Sequence, residues 1–123
     1  MEDSGGHITD SVSDIERVVV RVDVAFLVAV EGEELVGSVI GTFDGWRGNI
    51  YRLAVYPEHR RKGIARALVA ETEHVFSTWG VRRVSALVET AHPWAVRFWE
   101  TIGYAKDDRM ARYIRNVCRS PRA

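Results

Sequence analysis

The stretch that decides the fold reads LAVYPEHRRKGIA and covers residues 53–65. A short apolar run closes at Tyr56 and Pro57, and a basic turn with a single glycine then leads into residues with helical periodicity. The order strand, turn, helix leaves several backbone N–H groups of residues 61–65 unpaired at the positive end of the helix dipole. Because anions bind at such helix starts, the stretch predicts a site into which a diphosphate would fit.

The side chains of this turn are consistent with an anion site. Gly63 permits close approach of the backbone, Ala65 keeps the first helical turn slim, and three basic residues stand at the rim, namely Arg60, Arg61 and Lys62. The turn has neither the Gly-Lys-Ser/Thr of a P-loop nor the three glycines of a dinucleotide fingerprint, which argues against ATP and NAD. Taken alone, these residues also suit a solvated basic turn without a ligand.

On the N-terminal side of the turn, the pattern predicts three antiparallel strands in a meander. Two β-rich runs, at 25–30 and 35–43, are separated by a polar turn, which predicts a hairpin. A second turn-rich stretch precedes a third strand at 50–55. Further upstream, Ser13 and Glu16 have the form of a capping box for a helix over 14–21, whereas the valine run 18–20 favours a strand.

On the C-terminal side, apolar residues recur at three-and-four spacing from Ile64 to Trp79, which predicts a helix that stops at Gly80. A strand over 84–88 follows and should lie parallel to the strand before that helix. A second helix is predicted over 93–102 and a last strand over 110–114. These elements predict an α+β fold with a mixed, mainly antiparallel sheet flanked by helices.

The composition excludes several classes of function. Seventeen basic residues balance seventeen acidic ones among 123, so no net field draws the chain to nucleic acid or to an anionic membrane. Residues 1–14 lack the pattern of a signal peptide, and no apolar run is long enough to span a membrane. Cys118 is the single cysteine, too few for a disulfide or a structural zinc site. We therefore expect a cytoplasmic protein without a metal, with a flexible tail at 1–11 and one domain at 12–123.

Two motifs together resemble the GNAT acetyltransferase superfamily. The family pattern of Arg or Gln, two residues, Gly, one residue, then Gly or Ala is met by Arg60, Gly63 and Ala65. Downstream, residues 95–104 read AVRFWETIGY and are similar to the family's Ala-x-x-Phe-Tyr-x-x-x-Gly-Phe helix. The resemblance covers roughly residues 25–114. It implies one GNAT-like acyltransferase domain that uses acetyl-CoA as co-substrate and acetylates an amine, on a small molecule or on a protein.

The resemblance also implies where acetyl-CoA binds. The strands at 50–55 and 84–88 would splay apart to form a groove, and the pantetheine arm would pair with the backbone of the first strand like an added strand. The N–H of Val55 would donate to the thioester oxygen as the amine attacks directly. The implied coenzyme-binding residues are Leu53, Ala54, Val55, Arg60, Arg61, Lys62, Gly63, Ile64, Ala65, His92 and Trp99.

The chain departs from the family pattern at positions that matter for proton transfer. Trp99 stands where the family has a tyrosine that protonates the departing thiolate, and an indole N–H does not serve as an acid at neutral pH. Tyr104 could replace it only if the fold brought it close. Glu89 and His92 are the candidate bases, because histidine titrates near neutrality and a desolvated carboxylate can accept a proton. Each also has a structural reading, His92 as a helix N-cap and Glu89 as a solvated strand end.

Three functions stay open at this point. The first is the N-acetyltransferase, and the second, motivated by Trp99, is a non-catalytic domain that binds acyl-CoA as a sensor or partner module. The third is a small interaction module whose basic turn meets acidic partners or nucleic acid, although the balanced charge argues against it. The strand at 25–30 is expected to expose an edge that a second subunit could cover, which predicts a homodimer.

Overall fold

The computed structural model describes residues 2–3 and 23–117 of the chain. The predicted element over 14–21 and most of the predicted tail at 1–11 lie outside the described residues. Within that tail, Glu2–Asp3 instead form a short strand, β1. An extended backbone of any composition can pair with an unpaired sheet edge, and sequence patterning alone does not show such a pairing.

The sheet has five strands and is mixed. After β1 come β2 (Val24–Glu31), β3 (Glu34–Phe43), β4 (Gly48–Val55) and β5 (Val84–Ala86). The order across the sheet is β1-β4-β3-β2, and β5 lies beside β4 on the same edge as β1. Only the β4–β5 pair is parallel. The structure therefore confirms the predicted α+β class and the three-stranded meander. It also confirms that the strand after the first helix pairs in parallel with the strand before it.

The hairpin between β2 and β3 closes in two residues, with Glu31 opposite Glu34. Gly32, the first loop residue, has φ +62°, a left-handed conformation that glycine adopts at little cost. Along β2 the side chains alternate, so that Ala25 is buried while Phe26 and Val28 on the other face are exposed. One face of the meander therefore packs into the core.

Two helices cover the buried side and end close to their predicted limits. The first, α1 (Ile64–Thr78), packs Leu68, Val69, Thr72 and Phe76 against β2, β3 and β4. The second, α2 (Pro93–Thr101), starts with proline at its first helical position and buries Ala95 and Trp99. Glycines in the left-handed region follow each helix, as the sequence predicted for helix stops.

The predicted strand over 110–114 is wrong. Residues 110–117 have no strand assignment, and Met110, Tyr113 and Ile114 expose 71–94% of their surface. β-forming residues make a strand only where a neighbouring strand offers hydrogen bonds, and none of the described strands pairs with this segment. β5 also stops at Ala86, short of the predicted Val88.

None of the helices in the described part of the chain is long and apolar enough to cross a membrane.

Candidate active site

The site begins with a bulge in β4. On one side of it Ile40 of β3 pairs with Tyr51, and on the other Ser38 pairs with Ala54, so β4 contains one residue more than β3 over this interval. Arg52 lies in the bulge with φ +55°, a left-handed conformation that is costly for a non-glycine residue. Such bulges bend a strand and increase its twist, and here the bend comes where β4 leaves β5.

Beyond the bulge the two parallel strands separate. β5 pairs with β4 only over Gly48–Ile50, and from there to Val55 that edge of β4 has no backbone pairing with β5. The predicted splay is therefore present. The pairing of Glu2 with Val55 and of Asp3 with Ala54 occupies part of the opened edge.

The separated strands open onto a cavity of about 630 Å³. Its wall is made by the end of β4, the basic turn, the first turn of α1 and one face of α2. The lining residues are Leu53, Ala54, Val55, His59, Arg60, Arg61, Gly63, Ile64, Ala65, Arg66, Trp94, Phe98, Thr101 and Ile102. Eight residues predicted to hold the coenzyme are among them, so the structure brings together most of the predicted site.

The backbone of β4 directs one amide toward this opening. The N–H of Tyr56 donates to the carbonyl of Val36 on β3, with N and O 3.0 Å apart. Because successive N–H groups of a strand point to opposite edges, the N–H of Val55 points away from β3 and toward the splayed edge. A ligand that replaced β1 there would meet this donor.

The basic turn presents further backbone donors. Arg61 and Gly63 both have left-handed backbones, with φ +65° and +82°. The first helical bond of α1 runs from the N–H of Ala67 to the carbonyl of Gly63 at 3.0 Å, so helix geometry gives the N–H groups of residues 64–66 no acceptor within α1. The first turn of α1 contains no acidic residue and Gly63 makes no side-chain cap, so this helix start is suited to an anion.

A cluster of charged residues joins the turn to the β2–β3 hairpin. Nδ1 of His59 lies 3.0 Å from Oε1 of Glu31, and its Nε2 lies 3.7 Å from Oε1 of Glu34. The ammonium of Lys62 lies 3.5 Å from the same Glu31 oxygen. Lys62 is not among the cavity-lining residues, because its side chain pairs with the hairpin. The basic charge facing the cavity comes from the arginines of the turn and from Arg66.

Sequence comparison identifies the family. Residues 5–104 match the sequence profile of the Acetyltransferase (GNAT) family. An acetyltransferase of Sodalis glossinidius is 34% identical over 99 residues, which span 80% of this chain and 70% of that protein. An acetyltransferase of Pectobacterium atrosepticum is 35% identical over the same shares. The chain belongs to the GNAT acetyltransferase family.

Solved structures of other GNAT-fold proteins agree with this assignment. The aminoglycoside 6'-N-acetyltransferase AAC(6')-IG of Acinetobacter haemolyticus superposes with a TM-score of 0.76 at 13% identity, over 90% of this chain and 86% of that one. AAC(6')-Iy, solved with the bisubstrate analogue CoA-S-monomethyl-acetylneamine, gives 0.74 at 16% identity, over 85% and 77% of the two chains. At these identities the likeness concerns the fold.

Three residues singled out by the GNAT pattern lie away from the cavity. Glu89 and His92 are partly buried but do not line it. His92 takes the N-cap position of α2, as its structural reading held, although its imidazole makes no capping hydrogen bond. Trp99 is 4% exposed and forms part of the core, where its ring meets those of Phe98 and Tyr104 edge to face at 5.3 and 4.8 Å. Its Nε1 has no hydrogen-bond partner in the described structure.

Tyr104 does not replace the missing tyrosine of the GNAT helix. Its hydroxyl donates to Oε2 of Glu73 on α1 at 2.5 Å. Burial, together with this hydrogen bond and the Glu73 charge, raises the pKa of Tyr104 far above its ordinary value. A phenol held in this way is a weak acid at neutral pH, and Tyr104 is not among the residues that line the cavity.

Two aromatic residues that precede the bulge, Trp46 and Tyr51, do not line the cavity. Trp46 is 78% exposed in the turn between β3 and β4, where Arg47 lies over its ring at 5.5 Å. In the same turn, N–H groups of Arg47 and Trp46 donate to Asp44 and lower the pKa of that carboxyl. Tyr51 sits on β4 before the bulge and does not line the cavity.

Sequence reasoning did not assign the α2 wall of the GNAT cavity. Trp94, Phe98, Thr101 and Ile102 recur at helical spacing and all line the cavity. The periodicity predicts only that these residues share one face of a helix, and it does not show whether that face meets the core or a cavity. Among the described residues, no group of three or more His, Cys, Asp or Glu side chains could hold a metal ion.

Proposed function

We propose that this GNAT protein transfers the acetyl group of acetyl-CoA to an amine by direct attack of the amine on the thioester. The observation that carries the proposal is the opened edge of β4, which ends at an anion-binding turn and helix start. An extended ligand with an anionic end matches that arrangement, because strand pairing and phosphate binding follow one another along the same path. The pantetheine arm and the diphosphate of acetyl-CoA have this form.

The cavity residues then take the following roles. The backbone of Leu53–Val55 pairs with the pantetheine arm, and the N–H of Val55 donates to the thioester oxygen, where negative charge develops during attack. The N–H groups at the start of α1 bind the diphosphate, together with the Arg60 and Arg61 side chains. AAC(6')-Iy, with the same fold, binds a bisubstrate analogue of CoA, and a compound that joins both reactants is consistent with direct attack.

Proton transfer follows a different course from the usual GNAT pattern. Since Trp99 and Tyr104 offer no acid at the thioester, coenzyme A leaves as a thiolate, which is tolerable because thiols titrate near 8.5. We retain Glu89 and His92 as the candidate bases for the incoming ammonium, because both are partly buried in the segment that leads from β5 into α2. Replacing each by glutamine tests this role. The variant that lacks the base loses the acidic limb of the pH–rate profile, and the other variant keeps it.

Binding of acetyl-CoA is the first test, since it needs no knowledge of the acceptor. Isothermal titration would compare the wild type with an Arg60→Glu, Gly63→Asp double variant. Arg109→Glu is the control for the reversal of one arginine's charge, because its side chain is 89% exposed and far along the chain from the turn. Micromolar binding that is lost only in the double variant supports the proposal. No binding by the wild type would refute both the transferase and the sensor.

A second candidate is an acyl-CoA sensor without catalysis. It is favoured by one observation: the residues that line the cavity include no aspartate or glutamate, and their one histidine, His59, pairs with the hairpin carboxylates. The transferase and the sensor are separated by an assay for release of the coenzyme A thiol. The assay uses a panel of amines that includes aminoglycosides and peptide amines. Binding without thiol release for any amine would favour the sensor.

The strand β1 must leave the edge of β4 before the pantetheine arm can pair there. Two residues of backbone pairing contribute about 1 kcal/mol, which corresponds to roughly a fivefold effect on affinity. A variant lacking residues 1–3 should therefore bind acetyl-CoA several-fold more tightly in the same titration. Unchanged affinity would mean that the arm does not use this edge.

We also propose that the protein is a homodimer. In the described structure the outer edge of β2 has no partner strand, and Phe26, Val28 and Val30 beside it are 47–55% exposed. Pairing with the β2 edge of a second copy would satisfy the unpaired backbone groups of that edge and bring the exposed side chains of the two copies side by side. Light scattering at micromolar concentration should give twice the monomer mass, and a monomer mass would contradict the proposal. The cytoplasmic location stays a prediction that cell fractionation can test.

A further inference from the structure

A cation–π contact joins two walls of the cavity. Arg60 comes from the basic turn, and Trp94 comes from the first turn of α2, more than thirty residues later. The guanidinium carbon of Arg60 lies 4.8 Å from the centroid of the Trp94 ring, which is the geometry of a cation–π interaction. Both residues line the cavity. The contact therefore spans the groove at its basic end.

The surroundings of this contact strengthen it. Both partners are partly buried, and the α2 wall beyond Trp94 continues with Phe98 and Ile102. Cation–π contacts are stronger when the cation is desolvated, because water then competes less for its charge. Arginine also stacks on an aromatic face while leaving its edge N–H groups available for a phosphate.

We propose that Trp94 is a positioning residue that holds the Arg60 guanidinium over the path of the coenzyme A diphosphate. The inference rests on the proposed use of acetyl-CoA and adds the reason why Arg60 is ready to bind. A free arginine side chain loses much rotamer freedom when it binds a ligand, and an arginine already stacked on an indole has lost part of that freedom beforehand. Trp94 then acts through Arg60 and needs no contact with the coenzyme.

This arrangement makes the effect of Trp94 specific to the diphosphate. Coenzyme A contains the diphosphate and a 3′-phosphoadenosine, whereas pantetheine contains only the arm that pairs with β4; dependence of the Trp94 effect on Arg60 then assigns it to the diphosphate rather than to adenine. Loss of the ring should weaken binding of coenzyme A and leave pantetheine binding unchanged. A ring that instead contacted the arm directly would matter equally for both ligands.

The test is a double-variant cycle with two probes. Trp94→Leu, Arg60→Gln and the combined variant would be titrated with coenzyme A by calorimetry and with pantetheine by ligand-observed NMR. Trp94→Leu should raise the Kd for coenzyme A about three- to tenfold, a range that follows from the usual strength of the contact. Trp94→Phe keeps an aromatic face and should recover most of the affinity. In the Arg60→Gln background the leucine substitution should have no further effect.

Phe98→Leu is the matched control, since it removes a ring one helical turn further along the same wall and should affect both probes alike. Far-ultraviolet circular dichroism of each variant shows whether the fold is kept. The positioning role is overturned if the two substitutions act independently, or if pantetheine binding falls together with coenzyme A binding. If the wild type does not bind coenzyme A at all, the proposed function itself fails, which is a different result from an additive cycle in a protein that binds.

Discussion

The ring of Phe76 packs against two glycines of the sheet, and adding a side-chain carbon at either glycine should destabilise the protein. Phe76 is 1% exposed on α1. A Cβ added at Gly48 of β4 would lie 2.7 and 2.8 Å from ring carbons of Phe76 and 3.0 Å from a methyl of Val81. Opposite it, a Cβ at Gly41 of β3 would lie 2.9 Å from another edge of the same ring. Both glycines therefore leave room for the same buried ring, and a methyl group at either position would overlap with it.

Gly48→Ala should lower the free energy of unfolding by about 2 kcal/mol. Overpacking of a filled core costs typically about 1–3 kcal/mol, and the gain from restricting the unfolded backbone offsets less than 1 kcal/mol of it. In urea this corresponds to a midpoint lower by roughly 1 M, measured by tryptophan fluorescence or circular dichroism. Because Phe76→Leu shortens the ring side chain, the two substitutions together should cost about 1 kcal/mol less than their sum.

Gly45→Ala is the control for the alanine substitution itself. A Cβ there meets no atom within 4 Å, but φ is +92°, so its cost of about 1–2 kcal/mol comes from the backbone alone. That cost should not change in the Phe76→Leu background. The packing argument is refuted if Gly48→Ala stays within about 0.5 kcal/mol of the wild type, or if its cost adds fully to that of Phe76→Leu.

Two further predictions concern charged groups. Glu31→Gln removes the carboxylate that pairs with His59 and Lys62, so acetyl-CoA should bind a few-fold more tightly at low salt while stability falls by at most about 1 kcal/mol. Calorimetry at low and high salt checks this, and weaker binding by the variant would contradict it. Because the folded-state pKa of Tyr104 is raised, its stabilisation is complete below the ordinary tyrosine pKa and is lost as pH rises through and above it. Tyr104→Phe should therefore flatten the alkaline fall in the urea midpoint, and parallel curves for the two proteins would exclude this role.

Local signals in the sequence were sufficient for the hairpin, the basic turn and both helices. Gly32 and the polar residues around it specify a short turn, and the spacing from Ile64 to Trp79 specifies a buried helical face, so neither depends on distant contacts. The predicted strand at 110–114 failed for the opposite reason. Whether β-forming residues become a strand depends on a partner, and composition carries no information about one.

The parts of the site that escaped prediction depend on contacts between distant segments. Glu31 meets His59 across nearly thirty residues, and Arg60 meets Trp94 across more than thirty. The placement of Trp99 shows the same limit. Its match to the tyrosine position of the GNAT helix predicted a ring facing the coenzyme, whereas a large apolar ring gains more by burial, and the structure places it in the core.

The bulge at Arg52 also determines which edge of the sheet each later N–H group of β4 faces. Strand partners before it sum to 91 in residue number, as for Ile40 with Tyr51, and partners after it sum to 92, as for Ser38 with Ala54. Removing one residue there would reverse the edge of the sheet to which each later N–H group of β4 points. The Val55 N–H would then point toward β3 instead of toward the open edge. The exposed turn before β4 can change length by one residue without this effect. Among homologous chains, the count of residues between the bulge and the basic turn should therefore be far more constant than the length of that loop.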